Sequence, residues 1–165
     1  MTSDRREEFE IVALAHTEAL MRVAWRTTGD YARAEDVVQE TMLSAWRSFQ
    51  QFEHGTNCRA WLFKIMFHVI SKAKQRSTQL PIVELSDGEG LDNLVCIGSQ
   101  HIGYSDVLAS VNRLPDDQRS VIVLAAVEGF SCREISVILT IPIGTVMSRL
   151  SRARAELRRL LRRVG

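Results

Sequence analysis

Seven arginines lie in the last 18 residues of the chain, where their guanidinium groups could bind the phosphates of a nucleic acid. The seven are Arg149, Arg152, Arg154, Arg158, Arg159, Arg162 and Arg163. Glu156 is the only acidic residue in the segment 148–165, which therefore carries a charge of +6. Cations that neutralise phosphates release bound counterions, and this release drives much of the affinity for nucleic acids. The end of the chain is thus a candidate nucleic-acid-binding segment.

The net charge of the whole chain conceals this segment. The 165 residues include 21 Lys and Arg against 20 Asp and Glu, for a formal charge of +1. Residues 1–76 carry +1, residues 77–104 carry −4, and residues 105–165 carry +4. A total near zero argues against a nucleic-acid partner only when the charge is evenly spread, and here it is not.

The basic segment is predicted to be the second helix of a helix-turn-helix. Ser131 and Glu134 have the spacing of a capping box, which would start a short helix through Leu139. A turn containing Gly144 follows, and a helix of about 18 residues begins at Thr145. Its apolar residues fall within one arc of about 100°, the width of a buried stripe. They are Val146, Leu150, Ala153, Leu157, Leu160 and Leu161.

The opposite face of this helix holds the candidate DNA-binding side chains. The N-terminal residues of the second helix of such a motif reach base edges. We therefore assign four residues to bases, namely Met147, Ser148, Ser151 and Arg152. Three further residues are assigned to phosphates, namely Arg154, Arg158 and Arg159. The alternative is a solvated arginine-rich face that complements the helix dipole.

Helical periodicity in the remaining sequence predicts an all-α fold of two small domains. Residues 1–76 are predicted to form three helices, the second capped by Asp30 and the third by Asn57. Residues 77–104 lack a sustained period and are predicted to be an acidic flexible linker. Residues 105–165 form the second domain, which ends in the helix-turn-helix.

Two helix boundaries can be predicted from single residues. The first helix is expected to be continuous, with apolar positions from Phe9 to Thr27 and a stop at Gly29. In the second domain, Pro115 is expected at the first turn of a helix that ends at Gly129.

The composition argues against several other classes of protein. Hydrophobic residues make up 45% of the chain, which excludes a disordered or low-complexity protein. There is no run of 18 apolar residues and no apolar core of a signal peptide, so we expect a cytoplasmic location without membrane insertion. The three cysteines form no CxxC pair, and a metal site at Cys96 and His101 is disfavoured. Because no catalytic motif is apparent, we expect no enzyme activity, no cofactor and no metal.

Motifs in both halves resemble those of a known family. The first half contains Thr28-Gly29-Asp30, Ala34-Glu35-Asp36-Val37-Val38-Gln39-Glu40-Thr41, Ala45-Trp46 and Gly55-Thr56-Asn57-Cys58-Arg59-Ala60-Trp61-Leu62-Phe63. The second half contains Leu114-Pro115-Asp116-Asp117-Gln118-Arg119, Glu128-Gly129-Phe130-Ser131, Glu134-Ile135 and Ile141-Pro142-Ile143-Gly144-Thr145-Val146-Met147-Ser148-Arg149-Leu150. Together they resemble bacterial RNA polymerase sigma factors of the extracytoplasmic-function (ECF) group, which have only two domains.

The resemblance implies a division of labour along the chain. The second helix would dock on a coiled coil of the RNA polymerase clamp through Glu35, Asp36, Gln39 and Glu40. The third helix and the preceding loop would hold the −10 promoter element as a single strand through Phe52, His54, Asn57, Arg59, Lys64 and His68. The last helix would bind the −35 element through the seven residues assigned above together with Thr145 and Arg149. The second domain would also contact the polymerase flap.

Some of these residues have simpler interpretations, and the chain departs from the family pattern at two places. The acidic residues of the second helix could form an ordinary solvated face, Trp61 could be core, and Asn57 could be only a cap. Many members have Arg-Asn where this chain has Phe67-His68, and Lys or Arg where it has Met147. These departures imply an altered promoter preference.

The function implied by the resemblance is that of an alternative sigma factor. Such a protein binds core RNA polymerase, directs initiation at promoters, and is held inactive by an anti-sigma factor. One alternative is a sigma mimic that sequesters an anti-sigma regulator without initiating transcription. Another is a plain helix-turn-helix repressor.

Overall fold

The computed structural model describes residues 2–79 and 102–163, and α-helices account for most of them. The helices are α1 (Thr2–Ala13), α2 (Thr17–Thr28), α3 (Tyr31–Ser48), α4 (Cys58–Gln79), α5 (Ile102–Asn112), α6 (Asp116–Ile122), α7 (Cys132–Leu139) and α8 (Ile143–Arg162). The described residues contain no strand, which confirms the predicted all-α class. Most of the predicted linker, including its four acids, Cys96 and His101, lies outside the described residues. Its two ends do not, and they belong to α4 and α5.

The first helix is not continuous, contrary to the sequence prediction. A 3-10 turn at Leu14–His16 separates α1 from α2. The Thr17 hydroxyl donates to the Leu14 carbonyl at 2.9 Å, and such side-chain bonds compete with helical backbone bonds. The apolar stripe nevertheless faces inward on both sides of the break, since Phe9 and Leu20 are both buried.

The predicted helix caps are present. The Asp30 carboxylate accepts from the Arg33 amide at 3.1 Å, and the Asn57 side-chain oxygen accepts from the Ala60 amide at 3.0 Å. Ser131 and Glu134 form both bonds of the capping box. These contacts satisfy amides that a helix start leaves without intrahelical partners. The sequence signals for the starts of α3, α4 and α7 are therefore confirmed.

A widened turn of helix follows α6 and sets the direction of the next two side chains. Pro115 is the N-cap of α6, one position before the predicted first turn. The backbone takes a π-helical turn over Val123–Val127 and then reverses at Gly129, whose φ is +72°. Glycine tolerates this left-handed conformation without a steric penalty. As a result, Glu128 and Phe130 on either side of Gly129 are both buried.

The helices form two bundles that pack against each other. We call α1–α4 the N-terminal bundle and α5–α8 the C-terminal bundle. Within the N-terminal bundle, α3 packs on both α2 and α4, and within the C-terminal bundle α8 packs on α5, α6 and α7. Between the bundles, α4 lies against α7, and the ring centroids of Phe63 and Phe130 are 5.3 Å apart in an edge-on arrangement. One continuous apolar core therefore runs through both bundles.

Candidate nucleic-acid and polymerase interfaces

Helices α7 and α8 have the geometry of a helix-turn-helix. Their axes meet at a bend of 108°, within the range of about 90–120° typical of the motif. The Ser136 hydroxyl donates to the Ile141 carbonyl at 2.6 Å, and the Ile141 amide donates to the Ser136 carbonyl at 3.1 Å. This pair of bonds ties the turn to α7 and fixes the direction in which α8 leaves. The helix begins at Ile143, two residues before the predicted start.

The buried and exposed faces of α8 follow the predicted wheel. Val146, Leu150, Ala153 and Leu160 are buried, and Leu157 packs against the core. Seven of the nine predicted −35 residues are exposed. These are Met147, Ser148, Ser151, Arg152, Arg154, Arg158 and Arg159. Because the apolar stripe faces the core, the opposite face of α8 exposes a polar and basic surface.

The other two predicted −35 residues, Thr145 and Arg149, are only partly exposed. The Arg149 Nε lies 3.5 Å from a carboxylate oxygen of Asp117, which is on α6. This arginine thus links two helices of the C-terminal bundle in addition to any contact with DNA. Arg159 is paired with Glu156 one turn before it, and that hydrogen bond lowers the pKa of the Glu156 carboxyl.

The predicted polymerase-binding residues form one exposed surface of α3. Glu35, Asp36, Gln39 and Glu40 are all exposed, whereas Val37, Val38 and Thr41 on the other side of the helix are buried. No lysine or arginine stands among the four, so the surface is acidic. Its charge is the one expected for docking on a basic partner.

A groove of about 940 Å³ brings this acidic surface next to predicted DNA-binding residues. Asp36 and Glu40 of α3 lie along one wall. Lys64 and His68 of α4 lie along the other wall, followed by Lys72 and Arg76. The end of α7 closes the groove at Ile138–Thr140. Two surfaces that the sequence predicted separately are therefore neighbours on α3 and α4.

Phe52 requires a correction, because the structure places it in the core. Its side chain is 6% exposed and stacks on Phe49 with ring centroids 5.9 Å apart. Its centroid also lies 4.9 Å from that of Trp61, which packs against the same core. A base cannot stack on a ring with so little exposed surface. In this conformation Phe52 supports the loop before α4 and does not offer a surface to DNA.

The other predicted −10 residues differ in their surroundings. Lys64 and His68 are exposed on the groove wall. His54 is exposed as well, and its Nδ1 lies 2.8 Å from a carboxylate oxygen of Glu8. Asn57 serves as the cap of α4, and its amide nitrogen also donates to Glu134 of the C-terminal bundle at 3.2 Å.

Arg59 is held by Glu128, a residue for which the sequence predicted no role of its own. Its guanidinium pairs with the Glu128 carboxylate and also donates to the Glu128 backbone carbonyl at 2.9 Å. The same guanidinium lies over the Phe130 ring, 4.4 Å from the centroid. Arg22 of α2 binds Glu128 as a fork, with Nε at 2.8 Å from Oε1 and a terminal nitrogen at 3.2 Å from Oε2. Neither Arg22 nor the burial of Glu128 had a local signal in the sequence.

The electrostatics of this cluster are dominated by a buried carboxylate. The Glu128 side chain is 1% exposed. Burial by itself would raise the pKa of the Glu128 carboxyl, but the hydrogen bonds and charges of Arg22 and Arg59 outweigh it and hold the pKa below the usual value. Nearby, burial and the charge of Arg59 lower the pKa of His16.

The described residues also lack a metal-binding cluster and a single membrane-spanning helix. Among the described residues, no group of three or more His, Cys, Asp or Glu side chains could hold a metal ion. No single described helix is long and apolar enough to cross a membrane, and α7 with α8 reaches that length and composition only as a bent pair.

Two packed helical bundles, the second ending in a helix-turn-helix with a basic outer face, define a DNA-binding protein. The Sigma-70 region 2 family matches residues 13–79, and the Sigma-70 region 4 family matches residues 104–157. These two matches, together with ECF sigma factor relatives that are 34% identical, place the chain in the ECF group of RNA polymerase sigma factors, and it is an alternative sigma factor.

Individual relatives agree with this assignment. The ECF sigma factor EcfG of Rhodopseudomonas palustris is 34% identical over 151 residues, which cover 90% of this chain and 82% of that relative. The ECF sigma factor SigL of Mycobacterium tuberculosis is 34% identical over 156 residues, covering 91% and 86%. Among solved structures, the sigma factor RpoE of Bartonella quintana, crystallised with the anti-sigma factor NepR, is similar with a TM-score of 0.72. It is 33% identical, and the match covers 96% of this chain and 97% of that chain.

Proposed function

We propose that α8 binds the −35 element of a promoter in the major groove of duplex DNA. The 108° bend between α7 and α8, with the polar face of α8 exposed, carries this proposal. Met147, Ser148, Ser151 and Arg152 would reach base edges, because they lie on the exposed face of the first half of the second helix. The later arginines would neutralise phosphates. Met147 is 58% exposed and offers an apolar contact, for instance to a thymine methyl group.

The acidic surface of α3 is the proposed contact with core RNA polymerase. Glu35, Asp36, Gln39 and Glu40 are exposed together, and a basic coiled coil would complement them. Because the same groove has Lys64 and His68 on its other wall, polymerase and a single DNA strand would bind side by side. Such a strand needs cations for its backbone and polar groups for its unstacked bases.

The −10 element would enter only after the two bundles separate. We call the conformation with the two bundles packed together the closed conformation. In it, Asn57 and Arg59 already bind Glu134 and Glu128 of the C-terminal bundle. The proposed domain boundaries at residues 76 and 105 leave a tether between them that would permit this separation. In this proposal the chain contributes binding and no catalysis, and it works in the cytoplasm with the polymerase.

An anti-sigma factor is the remaining proposed partner. RpoE of Bartonella quintana was crystallised with the anti-sigma factor NepR, and the match to it spans nearly the whole of this chain at 33% identity. Because the two bundles of this chain pack together, such a regulator could bind both of them at once.

Reconstitution with core RNA polymerase tests the proposal. The chain is mixed with core enzyme and a genomic promoter library, and open complexes are mapped by the reactivity of unpaired thymines. We expect open complexes at a set of promoters that share −35 and −10 elements. If no promoter is opened, the chain is not an initiation factor. Binding to an anti-sigma factor alone would then indicate a sigma mimic, and binding to duplex DNA without polymerase would indicate a repressor.

A further inference from the structure

One carboxylate of the C-terminal bundle occupies two arginines of the N-terminal bundle. Arg22 comes from α2, Arg59 from α4, and Glu128 from the turn before α7. The arginine nitrogens surround both carboxylate oxygens, with Arg22 forming the fork described above. Arg22 and Arg59 thus form an anion site on the N-terminal bundle, and its occupant in this conformation belongs to the other bundle.

This ion pair is a poor way to hold two bundles together permanently. Desolvation of the buried Glu128 carboxylate costs free energy that its partners often fail to recover, and an apolar contact of the same volume is often as stable or more stable. The site does have one property that an apolar contact lacks: another anion can replace its occupant. A phosphate offers the same fork geometry to arginine as a carboxylate does.

We propose that Arg22 and Arg59 bind a backbone phosphate of single-stranded promoter DNA, and that Glu128 masks this site while the chain is closed. The inference rests on the proposed function, since the −10 strand is the anion that would reach α4. It adds Arg22 to the DNA-binding residues and makes Glu128 an intramolecular competitor of the DNA backbone.

A second contact of the same kind supports the masking. Glu134, six residues after Glu128, accepts a hydrogen bond from Asn57 at the start of α4. The segment from Glu128 to Glu134 therefore presents two carboxylates to two polar side chains at one end of α4. A DNA strand crosses such a surface with regularly spaced negative charges, so one strand could replace both carboxylates. Glu128 then regains water when the bundles part.

Binding of an oligodeoxythymidine of about 12 nucleotides to the full chain tests the masking. Polymerase is omitted, and affinity is measured by fluorescence anisotropy for the wild type and for Glu128→Gln. We expect roughly tenfold tighter binding by Glu128→Gln, which corresponds to a wild-type chain that is open about a tenth of the time. The control is Glu7→Gln, an exposed residue of α1 that undergoes the same change of charge. Equal affinity of Glu128→Gln and the control would overturn the masking.

Salt dependence then tests the phosphate contact itself. In the Glu128→Gln background, Arg22→Ala should reduce the slope of log K against log salt by about 0.7, the value for one phosphate of a single strand. An unchanged slope would overturn the role of Arg22. If circular dichroism shows that Glu128→Gln is unfolded, the same slopes are compared between the wild type and Arg22→Ala, and equal slopes again overturn it. Because polymerase is absent, this outcome is independent of whether the chain initiates transcription.

Discussion

Arg152, which we propose faces a base, and Arg158, which we propose faces a phosphate, are nearly two turns apart along α8. Arg152 lies at the middle of α8 and Arg158 in its last two turns, and both are exposed. A guanidinium that forms two bonds to a guanine edge distinguishes that base from others, whereas a phosphate contact is the same at every sequence. Removing each arginine should therefore change DNA binding in a different way.

Arg152→Ala should lower the discrimination between the preferred −35 sequence and a single-base variant by about 1–3 kcal/mol.

Arg158→Ala should weaken binding to all duplexes equally and reduce the salt slope by about one. Binding of polymerase holoenzyme to −35 duplexes at several salt concentrations measures both effects. If Arg158→Ala alters sequence preference with no change in salt slope, the assignment to phosphate is wrong.

Phe52 illustrates a residue whose type suggested one role and whose position gives it another. An aromatic residue in a polar loop is a reasonable candidate for stacking on a base. Its neighbours Phe49 and Trp61 lie three and nine residues away, and only the folded loop brings all three rings together. The sequence contained the rings, but no local period showed that they pack on each other.

Phe52→Ala should therefore lower the free energy of unfolding by about 3–5 kcal/mol, the cost of truncating a buried aromatic side chain. Denaturant unfolding of the full chain measures this loss. Glu53→Ala is the matched control, since Glu53 lies in the same loop and its side chain is exposed, and it should leave stability nearly unchanged. Normal stability of Phe52→Ala would return Phe52 to the list of candidate DNA contacts.

At the scale of helices, local signals were sufficient where a helix start or a buried stripe decided the structure. The caps at Asp30, Asn57 and Ser131 and the stripe of α8 all depend on residues within a few turns of one another. The break between α1 and α2 and the π-helical turn at Val123–Val127 were not predicted. The apolar stripe continues across the first of these, and residues 121–127 are all apolar, so neither irregularity leaves a gap in the hydrophobic pattern.

The acidic surface of α3 should act as one unit in docking. Asp36→Lys combined with Glu40→Lys reverses two charges on an exposed face, so the helix should still form while attraction to a basic partner is lost. Binding to core RNA polymerase is measured by surface plasmon resonance, and circular dichroism checks the fold. Glu18→Lys combined with Glu53→Lys, at exposed positions outside α3, is the control of equal charge. Equal binding by the two double variants would show that overall charge governs docking and the α3 surface does not.

At the scale of the whole molecule, the contacts between the bundles were beyond the reach of sequence reasoning. Arg22 and Glu128 are 106 positions apart, and Arg59 and Glu128 are 69 apart. Periodicity and capping signals act over a few residues, so they specify each bundle without specifying how the bundles meet. This arrangement matters for function, because two predicted −10 residues, Asn57 and Arg59, already bind side chains of the C-terminal bundle.

The closed arrangement should respond to acid in a predictable direction. The pKa of Glu128 is lowered in the closed form, so the closed form binds fewer protons than the open form. The contact is therefore fully present at neutral pH and is lost as the pH falls below the usual pKa of glutamate, about 4.3.

Small-angle X-ray scattering of the full chain across this pH range should show a rise in the radius of gyration while circular dichroism still reports helices. Glu128→Gln cannot lose a charge, so it should already be more open at neutral pH and should lack most of the acid step. The remainder would come from Asp116, whose pKa is lowered by its hydrogen bond from Lys74 across the bundles. An acid step of the same size in Glu128→Gln would show that this carboxylate does not control opening, and separation of the bundles would then depend on their apolar contact alone.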